Sequence, residues 1–194
     1  SYPLNEGTGF FPPLVQPEET QPVVLSFLNL VELHVLSAIR RCHGVSLDRV
    51  RGALQYVEAK LQTDRPLAKR AFFTDGVDLF VKESGLVVNA SRSGQLALVQ
   101  ALESHLARVE SDESGLAARL FPFTRKGIES SPRLIVIDPR FSFGQPSIAD
   151  LGIPTAVLAD RVKSGESLED LAADYGCSSE LVLEAIRWEL PLAA

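Results

Sequence analysis

The residues best equipped for chemistry lie in the stretch IDPRFSFGQPSI, residues 137–148. Asp138-Pro139 and Gly144 through Pro146 set a compact turn, and Arg140 and Asp138 are close enough in sequence to pair across it. Phe141 and Phe143 add aromatic anchors beside the forked guanidinium of Arg140. This is the chemistry of docking, because arginine grips carboxylates with two parallel donors and buried aromatics carry most of an interface's energy. Asp138, Arg140, Phe141, Phe143 and Gln145 are therefore the candidate partner-binding residues; a shaped loop closed by a local ion pair is the alternative use. A second cluster spans residues 40–70, where eight basic residues stand against three acidic ones, a net +5. Arg40, Arg41, Arg49 and Arg51 are the candidate phosphate contacts for DNA, against the alternative of a solvated helix face.

Groups for bond-making chemistry are sparse. His34, His43 and His105 fall in expected helices without metal-ligand spacing, and adjacent Cys42-His43 would diverge by about 100° on a helix. The chain carries no Gly-rich phosphate loop, nucleophile elbow or HExxH. Asp75/Asp78 and Glu110/Asp112 sit at expected turns, and Cys177 reads as a small packed residue. The expectation is a protein that is not an enzyme and has no cofactor and no catalytic or metal site.

Composition agrees with a folded domain or two: 194 residues, 45% apolar and 23% charged. No window reaches the ~18 apolar residues of a membrane span, and two cysteines are too few for a disulfide scaffold, so a cytoplasmic protein is expected. Residue 1 is Ser and Met is absent, which points to a segment upstream of it. Charge is uneven. From Arg133 onward five basic residues face ten acidic ones, so this part carries −5 of the total −6.

The elements that must position these residues follow from pattern and punctuation. Prolines 12, 13, 17 and 22 exclude a helix from residues 1–25, which read as an extended arm or edge strand. Ser26 caps a helix to about His43, ended by Gly44, and Ser46 caps a second with Leu47, Val50, Leu54, Val57 and Leu61 on one stripe. Asp75-Gly76 and Ser84-Gly85 between β-rich runs predict a small meander over residues 71–91. Ser93 or Gly94 opens a third helix with Leu96, Val99, Leu102, Leu106 and Val109 on one face, ended by residues 111–115; 116–123 is a strand. The polar 124–132 reads as a linker. A strand over 133–139, a helix from Pro154 or Thr155 with Val157, Leu158 and Val162 inward, and two helices capped by Ser167 and Ser178 and separated by Gly176 complete the chain. The last two have helix–turn–helix spacing. The second presents Ser178, Ser179, Glu180 and Glu184 where base reading asks for Arg, Lys, Asn or Gln, and its two glutamates repel phosphates, so structural use or protein binding is favoured over DNA reading. The domain division is 1–123, linker 124–132 and 133–194.

Two segments resemble known families. LHVLSAIRRCHGVSLDRVRGALQYVE, residues 33–58, resembles the part of MerR-like regulators that follows their DNA-reading helices. The block from Leu134 to Leu190 resembles the domain-of-unknown-function family 433 in its Ile-Asp-Pro-Arg start, Phe-Gly-Gln-Pro turn, Gly-Ile-Pro-Thr helix start, Gly-Glu-Ser-Leu cap and Asp-Tyr turn. It departs at Ala149-Asp150-Leu151-Gly152, where that family commonly carries Gly-Thr and a basic residue. The resemblance implies an α+β, mostly helical protein: a MerR/winged-helix-like helical hairpin with a small β-meander, then a homeodomain-like helix–turn–helix domain. It implies a VapB-type antitoxin that neutralises a PIN-like ribonuclease toxin, binds operator DNA and forms a homodimer. The alternative is a MerR-like regulator without a toxin, whose middle block holds a ligand against Phe72, Phe73, Phe80 and Leu98.

Overall fold

The computed structural model describes residues 2–4, 7–9, 13–41, 46–83, 92–125 and 131–190. The fold is α+β and mostly helical, with short antiparallel strand pairs. Strands β1 (Tyr2–Leu4) and β2 (Gly7–Gly9) pair, as do β3 (Glu19–Thr20) and β4 (Val23–Val24), so the expected extended arm is two small hairpins. Helix α1 (Phe27–Arg41) begins at Ser26, whose hydroxyl accepts from the Asn29 amide at 3.3 Å while the Asn29 side chain accepts from the Ser26 amide at 3.0 Å. This reciprocal cap satisfies two otherwise orphaned donors. Helix α2 (Leu47–Leu61) is capped by Ser46 and buries Val50, Ala53, Leu54 and Val57, the predicted stripe. Gly44 and Ser84 through Ser91 lie outside the described residues.

Residues 71–83 overturn the expected meander. Phe72–Gly76 is one π-helical turn that runs into α3 (Val77–Glu83). The Asp-Gly pair is a local turn signal, but burial decides this segment: Phe72 and Phe80 are fully buried with α1, α2 and the next helix, their rings edge to face at 6.2 Å. Helical backbone puts both rings inside, whereas a hairpin turning at Asp75-Gly76 would set Phe72 opposite Leu79 and send Phe80 to the other face. Gly76 serves packing here: a Cβ at this position would lie 2.6 Å from the Phe72 ring.

Helix α4 (Arg92–Leu106) packs along α1 and buries Leu98, Leu102 and Leu106. Leu96, expected on the inner face, is exposed, and Val109 belongs to the following strand. The hairpin β5 (Val109–Ser111) and β6 (Ala117–Leu120) follows, and Leu120 exchanges backbone hydrogen bonds with Ile137 at 3.0 and 2.8 Å. That bridge joins β6 to the pair β7 (Ile135–Val136) and β8 (Ser147–Ile148). Helices α5 (Thr155–Lys163), α6 (Leu168–Tyr175) and α7 (Ser179–Glu189) close the chain, with Ser167 and Ser178 as caps and Gly176 left-handed at the end of α6, as read from sequence. Leu158 is buried, but Val157 points to solvent.

Glu184, expected on the outer face of α7, is completely buried. Its carboxylate accepts from Arg125 at 2.8 and 3.3 Å, from Arg187 at 3.1 Å and from the Thr124 hydroxyl. Thr124 is held in turn by Ser131, and the Arg108 guanidinium, stacked over Phe123 at 4.7 Å, donates to the carbonyls of Ser131 and Pro132. Burial alone would raise the Glu184 carboxyl; the donors from Arg125, Thr124 and Arg187 outweigh it and hold the group below its ordinary range.

Two outcomes follow. Gly76→Ala forces the buried Phe72 ring to move and lowers stability by about 1–3 kcal/mol in urea denaturation, as overpacking does. Glu184→Gln weakens the charge-assisted bonds and costs about 2 kcal/mol at pH 7. Because the folded carboxyl is lowered, its contribution is complete above the ordinary carboxylate range and vanishes as pH falls through the folded value. The gap between wild type and variant therefore stays constant from pH 7 to about 5 and closes in more acidic solution.

Candidate partner-binding site

The pair β7–β8 frames the loop 138–146. Asp138 closes β7, almost fully buried, and accepts from the Arg140 backbone amide at 2.9 Å and from its guanidinium at 2.9 and 2.7 Å. The predicted pairing is thus a two-pronged bond. The Arg140 guanidinium holds the Asp138 carboxyl well below the usual range, aided by Arg119 at 3.8 Å, while Asp138 raises Arg140. Arg140 keeps 62% of its side chain in solvent, so the guanidinium donors that Asp138 does not take face outward.

Beyond Arg140 the chain turns through three successive left-handed residues, Ser142 (φ 48°), Phe143 (φ 54°) and Gly144 (φ 74°). Gly144 adopts this region freely; Ser and Phe do not. The turn is tied by the Gly144 amide to the Phe141 carbonyl at 2.9 Å and the Gln145 amide to the Ser142 carbonyl at 3.0 Å. Phe143 stands fully exposed, and Phe141 is largely exposed.

The loop separates two hollows. One, about 420 Å³, takes Asp138, Arg140, Phe141 and Gln145 into its wall, together with Arg119 and the departing segment at Asp150 and Leu151, over an apolar floor of Val136 and Ile148. The other, about 440 Å³, runs between the loop and α1, walled by Phe143 and Pro139 on one side and Leu25, Leu30 and Leu33 on the other. Of the five predicted residues, four therefore share one hollow and Phe143 faces the other. Sequence reasoning missed Arg119, which reaches Asp138 from β6 and also pairs with Glu110 at 3.1 Å. Its only local trace was a lone charge in an apolar strand. Asp150, in the segment that leaves the loop, sits left-handed at φ 65°, 3.9 Å from Arg119.

Three cations of the second cluster are engaged in ion pairs. Arg51 is mostly covered and pairs with Asp48 at 3.2 Å, Arg65 with Glu18 at 2.8 Å and Lys69 with Asp64 at 2.7 Å. Arg49 is exposed on α2; the side chains of Arg40 and Arg41 lie outside the described residues. His34 and His105 meet inside the fold, ring centroids 4.9 Å apart, with the His34 Nε2 at 3.0 Å from the His105 carbonyl. No group of three or more His, Cys, Asp or Glu is arranged to hold a metal ion among the described residues. Phe72, Phe80 and Leu98, expected around a ligand, are fully buried and fill the core, with Phe73 at its margin.

Known proteins resemble this chain along most of its length. It is 28% identical over 174 residues to a Mycobacterium tuberculosis protein named "Putative antitoxin VapB45", covering 84% of this chain and 70% of that one. It is 26% identical to the M. tuberculosis "Uncharacterized protein Rv2308", covering 90% and 75%. The fold is that of a solved M. tuberculosis structure, the X-ray crystal structure of Rv2018, with a TM-score of 0.66 at 24% identity over 88% of this chain and 83% of that one. Residues 135–188, which contain the Asp138–Arg140 loop, α5, α6 and α7 but for its last residue, match the family described as Protein of unknown function (DUF433).

Proposed function

We propose that this protein is the antitoxin of a type II toxin–antitoxin pair, a non-enzymatic, cytoplasmic regulator that binds and neutralises a PIN-like ribonuclease. The similarity to a protein named as an antitoxin, over 84% of this chain, carries the reading. The family match beginning at residue 135 supports a two-part division, an N-terminal half and a C-terminal module joined through 124–132.

The C-terminal loop supplies the chemistry. A metal-dependent ribonuclease gathers carboxylates around its cation, and a guanidinium can take the cation's place among them. Arg140 suits this role because Asp138 holds its fork from behind and leaves the outer donors free to meet a carboxylate. Phe141 beside it would bury apolar surface in the same contact, around a pair that must be desolvated to be strong. The N-terminal half binds operator DNA as a homodimer, with exposed Arg49 on α2 contacting phosphate, and thereby autoregulates the operon.

Co-expression with the ribonuclease encoded alongside it tests the first role. Arg140→Ala should weaken toxin binding by roughly 10- to 100-fold in calorimetry and release toxicity in growth assays, while Arg140→Lys, lacking the fork, recovers only part. Undiminished neutralisation by Arg140→Ala removes the cation-mimic role. For DNA, Arg49→Ala should weaken operator binding evenly across sequences and reduce the slope of log affinity against log salt by about one; an unchanged slope takes Arg49 out of the interface.

A further inference from the structure

Phe143 has no folding role that accounts for its position. It is fully exposed, and it is held there by a backbone in which it and Ser142 both occupy the left-handed region. Such a conformation costs on the order of 1 kcal/mol or more per residue and persists where the exposed group is used. Beside it lies the groove against α1, whose lining among the described residues contains no charged residue. Leu25, Leu30 and Leu33 are all exposed along its far wall, and Val23 and Val24 of β4, which precede Leu25 in the chain, are exposed as well. A protruding ring and an apolar slot thus stand side by side on one face.

We infer that this face is where two copies of the chain meet, Phe143 of each entering the groove between the loop and α1 of the other. Adjacent knob and slot satisfy the two-fold condition that each residue of the contact meets its counterpart's partner. Charge restricts the choice of face in the same direction. Two chains of net charge −6 repel each other, and an uncharged lining lets them close without setting like charges together. The arrangement leaves the Arg140 hollow on the opposite side of the loop open, so a dimer could hold a toxin on each copy. It rests on the reading that the protein is a homodimer and assigns the surface.

Sedimentation velocity of the full chain over a concentration series tests it. The wild type should dimerise, and Phe143→Ala should raise the dissociation constant by about 30-fold or more, as loss of an aromatic anchor does. Leu33→Glu, placing a charge in the slot, should do the same. Phe143 is solvent-exposed, so circular dichroism of that variant should match wild type. A wild type that stays monomeric overturns both the dimer and its surface. A dimer untouched by both substitutions overturns the surface alone. Loss of toxin capture by Phe143→Ala with the dimer intact gives the groove to the toxin and also overturns the proposal.

Discussion

A carboxylate shut away from water must be met by donors from every side, and the Glu184 carboxylate dictates where the surrounding chain can lie. Arg125 and Thr124 reach it from the end of β6's extension, Arg187 from its own helix. These contacts join α7 to chain some sixty residues upstream. With α7 fixed, α5 and α6 have a surface to pack on, and Ile135 and Ile148 of the β7–β8 pair close the same cluster with Leu158 and Ala185. Removing the carboxylate's partners would leave a charge in apolar surroundings, which is why such clamps specify one arrangement even where their net contribution to stability is modest.

Arg108 does related work with the opposite charge. Its guanidinium is largely buried and meets the Ser131 and Pro132 carbonyls, while the Phe123 ring covers it. Burial lowers its proton affinity, as does nearby Arg133. Carbonyl dipoles can satisfy its donors without cancelling its charge, so it fixes the direction in which residues 131–132 return to the fold. The segment that reads as a linker thus begins and ends in hydrogen-bonded chain, and the β6–Ile137 bridge sits directly beside it.

Much of this was legible because it is written locally. Ser26, Ser46, Ser167 and Ser178 cap the helices they were expected to cap, and Gly176 turns where only glycine turns easily. The Asp138–Arg140 pair, two residues apart, was equally readable. What was misread depends on partners distant in sequence. Asp75-Gly76 imitates a hairpin turn until Phe72 needs a bare Cα to lie against. Glu184 looks like a solvated charge until Arg125 is placed beside it, and three cations of the 40–70 stretch are held in ion pairs, two by acids of the same stretch and Arg65 by distant Glu18. Phe141 and Phe143 read as twin anchors, yet the left-handed turn between Phe141 and Gly144 sends them to different hollows.

The bidentate grip of Asp138 on Arg140 has an entropic side. A free arginine on a surface loop samples many rotamers, and a partner that immobilises it must overcome roughly 1.5–2 kcal/mol of lost side-chain freedom. Here two hydrogen bonds from the guanidinium to one buried carboxylate have already restricted the side chain in the unbound protein, and a third from the Arg140 backbone amide fixes the chain beneath it. An incoming carboxylate meets a guanidinium whose orientation is set beforehand, and more of the contact energy remains available for holding the complex together.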